Sequence, residues 1–285
     1  MSGRRTSRAA TRRSSRRGPD IRRASAGMNR TRSLALLVLI GSGLAIYGVS
    51  ASPAFGYRTL DIVGADRTDQ AIVRSELSVE DGSNLFRLST DGMSEKLRAL
   101  PTVAGASIEI ALPDTLRVHL TERQAVVIWQ VGDERFLVDA DGLVFAQATT
   151  ASSLPVIDDR RTPATPTSDG LIVAPDVVGM QIGDTVDPVD FDAATRLGSL
   201  LPVDVGSGAA GLHVRIDDAT GFSVDTGKDG WSAVFGYYTP TIRKTDLIPG
   251  QVRLLKSLLA GREETVATIV LADDREGTYT AKVAP

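Results

Sequence analysis

The longest uncharged stretch of the chain begins at Ser33 and consists of apolar and small residues as far as Ser50. As an α-helix, these 18 residues would be ~27 Å long, which nearly matches the ~30 Å hydrocarbon core of a bilayer. Three aromatic residues lie where the far membrane interface is expected: Tyr47, Phe55 and Tyr57. The pattern predicts one transmembrane helix, within residues 33–52.

The segments on either side of this stretch differ sharply in charge. Residues 1–32 hold eleven arginines, no lysine and one acid, so they carry a net charge of about +10, and the rest of the chain carries about −13 to reach the total of −3. The arginines predict that the N-terminus stays in the cytoplasm and that the C-terminal region lies outside. The tail has little apolar surface to bury and is predicted to be disordered. It lacks aromatic residues for stacking on bases, so we expect contact with the anionic inner leaflet rather than with nucleic acid.

Other interpretations of the apolar stretch stay open. A cleaved signal peptide would use the small residues Val49-Ser50-Ala51, although the basic region is longer than a usual signal. A buried helix of a soluble domain would have a similar composition, but rarely follows an arginine-rich tail directly. A twin-arginine signal at Arg16-Arg17 is disfavoured by the Gly18-Pro19-Asp20 that follows.

Residues 56–123 alternate between strand and helix patterns. A short strand at 58–63 precedes one helix capped by Thr68 and a second helix that starts near Thr90. Period-two alternation then predicts two strands joined at Pro113-Asp114. Their apolar face, which both helices can cover, consists of Ile108, Ile110, Leu112, Leu116, Val118 and Leu120. The order βααββ predicts a compact α+β domain.

Residues 124–285 show mainly strand patterns. The first strands form a hairpin at Asp141-Gly142, followed by an exposed loop at 158–170 that contains Pro163 and Pro166. A helix capped by Asp190, three strands, a helix that starts at Pro249 and two final strands complete the chain. The fold class is therefore α+β, with a mostly antiparallel β domain that has helices on one side.

The residue types exclude several kinds of chemistry. Without cysteine there is no disulfide, thiol nucleophile or thiolate metal site. His119 and His213 lie on the polar sides of predicted strands, and Asp139 and Asp141 fit a turn better than a calcium loop. We therefore predict no catalytic residue, no cofactor, no metal site and no enzymatic activity.

An ordered set of short motifs resembles one known family. The motifs are Ile62-Val63-Gly64, Asn84-Leu85-Phe86, Leu100-Pro101-Thr102-Val103, Ala106-Ser107-Ile108, Leu112-Pro113-Asp114-Thr115-Leu116, Glu122-Arg123, Trp129 and Val138-Asp139-Ala140-Asp141-Gly142. Together they resemble the FtsQ/DivIB family of bacterial cell-division proteins, whose first extracytoplasmic domain is a POTRA (polypeptide-transport-associated) fold. The chain departs from the family pattern at Ile110, where a basic residue is frequent, and at Ala125, where a proline is common.

The resemblance implies a domain organisation and a function. It implies a single-pass inner-membrane protein with a cytoplasmic tail at 1–32, a transmembrane helix at 33–52, a POTRA-like domain at 56–123 and a β domain at 124–285. Its partners would be small coiled-coil division proteins of the FtsL/FtsB class, in a divisome complex that regulates septal peptidoglycan synthesis. The alternatives are a POTRA-containing accessory of protein secretion or outer-membrane assembly and, third, a secreted enzyme.

The last predicted strand is the candidate partner-binding site. It comprises Thr278, Tyr279, Thr280, Ala281, Lys282 and Val283. Nothing later in this sequence is long enough to cover it, so we expect an open sheet edge on which a partner segment pairs as an added strand. The family resemblance implies the same location. The competing expectation is that Tyr279 and Ala281 fill the core while Lys282 blocks pairing.

Overall fold

The computed structural model describes residues 30–50, 52–149, 152–162 and 179–282. The helices are α1 (Arg30–Ser50), α2 (Gln70–Leu77), α3 (Thr90–Arg98), α4 (Pro188–Gly198) and α5 (Ile248–Leu259). The strands are β1 (Thr59–Val63), β2 (Val103–Ala111), β3 (Thr115–Glu122), β4 (Ala125–Val131), β5 (Glu134–Asp139), β6 (Val144–Gln147), β7 (Val156–Asp159), β8 (His213–Asp217), β9 (Gly221–Asp225), β10 (Ser232–Gly236), β11 (Val266–Leu271) and β12 (Gly277–Ala281). The predicted tail up to residue 29, the cleavage position at Ala51 and the loop at 163–170 lie outside the described residues. The chain divides into two compact units, 1–52 and 53–285.

Helix α1 contains the predicted span. Among the described residues it is the one helix long and apolar enough to cross a membrane, over Ser33–Ser50. One of the predicted interfacial aromatics is misplaced, because Tyr57 is buried in the core of the following domain, with 4% of its surface exposed.

The POTRA-like domain is a three-stranded sheet with two helices on one face. The strand order is β1-β3-β2, with β1 parallel and β2 antiparallel to β3. Val118 lies opposite both Ile62 and Ile108, and it is fully buried together with Leu116. Helices α2 and α3 add Val73 and Leu97 to the same core. The predicted βααββ arrangement is confirmed.

Two local predictions in this domain are wrong. The carboxylate of Asp69, not Thr68, caps α2 by accepting the N–H of Ala71 at 2.8 Å. Thr68 is buried instead, and its hydroxyl lies 2.8 Å from that of Thr102. Leu112 is exposed rather than part of the apolar face, because it lies in the turn beyond the last β2–β3 pair, Ala111 and Thr115.

The connection between the two sheets is short and held by hydrogen bonds. Strand β3 ends at Glu122 and β4 begins at Ala125. Between them, Arg123 donates through Nη1 to the Oδ2 of Asp139, on β5, at 2.5 Å, and through its backbone N–H to Thr102 at 2.9 Å. The side chain of Arg123 is thus bonded to the β domain and its backbone to the POTRA-like domain, so this residue ties the two together.

The β domain is built on one nine-stranded sheet. The strand order is β12-β11-β10-β9-β8-β7-β4-β5-β6, and five of the eight neighbouring pairs are antiparallel. Helices α4 and α5 bury Leu197 and Leu255 against alternate residues of the strands. The largest buried side chains of this core include Trp129, Ile157, Ile216, Phe222, Trp231 and Phe235. The prediction of a mostly antiparallel β domain with helices on one side is confirmed.

Two predictions in the β domain require correction. The predicted loop from residue 158 begins too early, because Asp158 and Asp159 belong to β7, which lies between β4 and β8 and is parallel to both. The cap of α4 is Asp187, which accepts the N–H of Val189 at 2.9 Å, and not Asp190.

Asp190 instead takes part in a charged cluster that joins β7 to α4. Arg161 donates to both carboxylate oxygens of Asp159, at 3.0 and 2.8 Å, and to Asp190 at 2.5 Å. Asp159 also accepts the indole N–H of Trp129 at 3.1 Å. Burial opposes the charge of Arg161, but the hydrogen bonds from the two carboxylates outweigh it and raise its pKa. The cluster therefore satisfies charges that would otherwise be costly to bury.

Candidate partner-binding edge of the β domain

Strand β12 forms one edge of the nine-stranded sheet. It pairs on one side with β11, in an antiparallel hairpin that places Tyr279 opposite Ile269. Within the residues that the structure describes, no strand pairs with its other side. Residues Thr278 to Ala281 are all exposed, Lys282 follows the strand, and Val283 lies outside the described residues.

The hairpin turn is fixed by Asp273. Its carboxylate accepts the backbone N–H groups of Glu276 and Arg275, both at 2.7 Å, and these hydrogen bonds lower the pKa of Asp273. Ala272 then donates to the carbonyl of Glu276 at 2.9 Å, which starts the ladder between β11 and β12. The register of β12 is therefore set at the turn.

The backbone of β12 presents alternate residues to the open side. The carbonyl of Glu276 and the N–H of Lys282 both bond to the β11 side, the latter to Thr265 at 2.7 Å. Because hydrogen-bonding directions alternate along a strand, Thr278 and Thr280 also point toward β11, whereas Tyr279 and Ala281 present their N–H and C=O groups outward. A partner strand would therefore pair with Tyr279 and Ala281.

The side chains on β12 leave this edge accessible. Tyr279 lies under the guanidinium of Arg262, which is 5.8 Å from the ring centroid. The ammonium of Lys282 donates to the carbonyl of Asp229 at 2.8 Å, so it is drawn across the sheet surface rather than along the open edge. Neither Tyr279 nor Ala281 is buried in the core.

Strand β11 is held in place by polar side chains that sequence patterns did not reveal. At the ends of the parallel strands β10 and β11, the carbonyls of Phe235 and Leu271 accept from Arg243, at 2.6 and 3.0 Å, and from the buried Gln251, at 3.2 and 3.4 Å. Gln251 in turn accepts the hydroxyl of Tyr238 at 2.7 Å. Gln251 is buried on the apolar face of α5, and a glutamine among the apolar residues of that face was the sequence signal for such a role.

A second support lies at the opposite end of β11. Glu263 accepts the hydroxyl of Ser207, the N–H of Gly208 at 3.0 Å and the indole N–H of Trp231 at 3.1 Å. The hydrogen bond from Ser207 is the main reason that the pKa of Glu263 lies below its usual value. Glu263 thereby fixes the turn from which β11 starts.

The other edge of the sheet differs from β12. Val144, on β6, donates to Asp184 at 2.9 Å and accepts the N–H of Gly183 at 2.8 Å, so a separate segment already occupies that part of the edge. Leu143 also forms a β-bridge with Thr185. This comparison favours β12 as the edge available to a partner.

The histidines and the paired aspartates do not form a chemical site. His213 is exposed and His119 half-buried, with single acidic neighbours Asp225 and Glu109 at 3.5 and 3.9 Å. Asp139 accepts the N–H groups of Asp141 and Leu143, which confirms its predicted role in the turn.

Comparison with known proteins agrees with this architecture. Residues 55–123 match the family model described as POTRA domain, FtsQ-type. The chain is 29% identical over 125 residues to cell division protein FtsQ of Mycobacteroides abscessus, covering 44% of this chain and 39% of that protein. It is 31% identical over 133 residues to the Mycobacterium tuberculosis FtsQ, covering 46% and 41%. The FtsQ of Chloroflexus aurantiacus is 24% identical over 259 residues, covering 89% of this chain and 80% of that protein.

These matches and the fold together define the class of the protein. It is a POTRA-domain protein with an apolar N-terminal helix that fits a single membrane span and a large C-terminal β domain. Residues 55–123 match an FtsQ-type POTRA domain, and the chain is similar to cell division proteins named FtsQ. The matched regions cover only 39%, 47% and 34% of three of its mycobacterial relatives.

Proposed function

We propose that this protein is a non-enzymatic scaffold of the divisome, which holds other division proteins through the open edge of β12. The observation that carries the proposal is the outward backbone of Tyr279 and Ala281, on a strand whose second side pairs with none of the described strands. An unpaired strand edge offers main-chain hydrogen bonds to an extended segment. The family resemblance points to partners of the FtsL/FtsB class, and to regulation of septal peptidoglycan synthesis as the outcome.

The proposal includes a fixed topology. Helix α1 is a single span of the inner membrane, with the N-terminus in the cytoplasm and the two folded domains outside. The eleven arginines of residues 1–32 support this orientation, because positively charged flanks are retained on the cytoplasmic side. The same arginines contact the anionic inner leaflet.

Partner pairing is tested by removing the outward N–H at the centre of β12. Tyr279→Pro removes that N–H and the ring, whereas the matched control Tyr279→Ala removes the ring alone. With residues 53–285 and a peptide from an FtsB-class protein, calorimetry should show affinity at least tenfold lower for the proline variant than for the alanine variant, or about 1.4 kcal/mol.

The outcome depends on the fold of the variants, which circular dichroism checks. Equal affinities of folded Tyr279→Pro and Tyr279→Ala variants would contradict strand pairing at this edge. Thr280 is unsuitable for this test, because its N–H points toward β11 and a proline there would damage the sheet itself.

A further inference from the structure

The POTRA-like domain exposes large apolar side chains at both of its ends. Phe86 and Leu112 are 51% and 55% exposed, and Val63 and Ile72 are 48% and 47% exposed. The first pair and the second pair lie at opposite ends of β1, a strand of five residues that extends ~16 Å.

Hydrogen bonds place the first pair beside the start of the domain. Tyr57 donates to Ser83 and accepts from Gly82, both at 2.8 Å, which fixes the loop that leads to Phe86. Arg58 donates to Asp114 at 2.9 Å, which fixes the turn that contains Leu112. Both exposed side chains therefore sit next to the residues through which the chain enters the domain.

An aromatic contact adds Phe55 to this surface. The rings of Phe55 and Phe86 pack edge to face, with centroids 5.3 Å apart and an interplanar angle of 65°. Phe55 belongs to a 3₁₀ turn, Pro53–Phe55, only five residues after the end of the candidate span at Ser50. Five residues extend at most ~18 Å, so covalent connection alone keeps Phe55 near the bilayer surface if α1 spans the membrane.

From these observations we infer that Phe55, Phe86 and Leu112 form a lipid-contacting surface that inserts into the interface of the outer leaflet and holds the POTRA-like domain against the membrane. Aromatic side chains are favoured at the level of the lipid headgroups, where one part of the ring is apolar and its rim is hydrated. The inference rests on the proposed function, in that α1 must be a membrane anchor.

Apolar contact, not charge, drives the binding to lipid. The exposed Arg58 and Arg87 lie in this region, but the exposed acids Glu80 and Asp81 balance them. A surface without net positive charge gains little from anionic headgroups. The surface is therefore expected to bind zwitterionic lipid as well.

Depth-dependent quenching of an introduced tryptophan tests the inference on the full chain. The native Trp129 and Trp231 are buried and give a constant background that the unsubstituted protein measures. In phosphatidylcholine vesicles with lipids brominated near the carbonyl end of their chains, Phe86→Trp should lose roughly half of the added emission, because its ring lies at that depth. Ile72→Trp, equally exposed at the opposite end of the domain, is the matched control and should not be quenched.

Two further variants separate the possible results. Tyr47→Trp, within α1, reports whether the helix is in the bilayer, and Leu112→Trp repeats the test if Phe86→Trp does not fold. Quenching in the Tyr47→Trp variant, without quenching in Phe86→Trp or Leu112→Trp, would overturn this inference alone. An unquenched Tyr47→Trp variant would overturn the membrane anchor and this inference with it. If ~1 M salt, which screens charges within ~3 Å, abolished the quenching of Phe86→Trp, the apolar mechanism would be overturned.

Discussion

In both folded domains, the sheet face that the helices do not cover carries ion pairs between neighbouring strands. The two domains differ in how deeply the side chains of these pairs are buried. The central strands of the two sheets share one alternation, in which a buried valine lies between an arginine and a histidine: Arg117-Val118-His119 on β3 and His213-Val214-Arg215 on β8. In the POTRA-like domain Arg117 pairs with Asp61 at 2.9 Å, and both side chains are more than 40% exposed. In the β domain Arg215 lies 3.3 Å from Asp225, whose side chain is only 11% exposed.

The same sequence alternation therefore produces ion pairs that contribute unequally to stability. Exposed pairs contribute up to ~1 kcal/mol, because solvent screens them and the side chains lose freedom. A carboxylate that is nearly buried costs more to leave without its partner. Asp61 lies on the edge strand β1, whereas Asp225 lies on β9, between β8 and β10, with Arg215 and His213 beside its carboxylate.

The largest loss of stability should come from replacing the buried valine that both strands have at the centre of this pattern. Val118→Asp places a charge among apolar side chains with no partner, and it should destabilise the POTRA-like domain by about 3–5 kcal/mol. Thermal unfolding of residues 53–285, followed by circular dichroism, measures the change. Thr121→Asp, exposed on the same strand, is the control, and an unchanged melting curve for Val118→Asp would mean that the strand register is wrong by one residue.

A smaller loss of stability should distinguish the ion pair of the β domain from that of the POTRA-like domain. Asp225→Asn should cost about 1–3 kcal/mol, because Arg215 then keeps only its longer contact with Asp158, at 3.6 Å, in a partly buried site. Asp61→Asn should cost less than ~1 kcal/mol, and this cost should shrink in high salt. Denaturant titrations in low and high salt give both values, and equal costs with equal salt dependence would remove the proposed difference.

The smallest effect concerns one glutamate in each domain that clamps a loop. Burial opposes ionisation of Glu122, but the N–H groups of Thr68 and Arg67 outweigh it and lower its pKa, as Ser207 does for Glu263. Since the folded pKa is depressed, each carboxylate stabilises the fold above the unfolded value of about 4.3, and the contribution is lost as the pH falls through the folded pKa.

Stability measured against pH checks this prediction. Glu263→Gln and Glu122→Gln should be less stable than the unsubstituted protein at neutral pH, and the gap should narrow below about pH 4.3. A gap that stays constant down to the acid transition would show that the loss comes from packing and not from the ionised carboxylate.

The fold was largely predictable from the sequence because its strands alternate strongly and its helices have clear apolar faces. The errors arose where short-range signals compete. Asp187, not Asp190, caps α4, and the proline that follows at 188 was the missed signal, since proline favours the first helical turn. Strand β7 was missed because its four residues, half of them acidic, are stabilised by parallel neighbours far away in sequence.

The candidate site was only partly predictable. The alternating pattern of residues 278–283 predicted the strand itself. The direction of each N–H was not predictable, because it depends on the turn at Asp273 and on where β12 lies against β11. The exposure of Phe86 was also not predictable, because the motif gives the residue type but not the side of the domain on which the ring lies. Both features arise from contacts between segments that are not adjacent in the chain.

The short connection at Arg123 has a mechanical consequence for the two folded domains. Strand β12 lies six strand spacings from β4, or ~29 Å across a continuous hydrogen-bonded sheet. Because only two residues separate β4 from the POTRA-like domain, and Arg123 is bonded on both sides of that junction, a pull on a partner strand at β12 would reach the junction with little slack. The two folded domains would then transmit tension as a rigid body, and not as domains joined by a flexible linker.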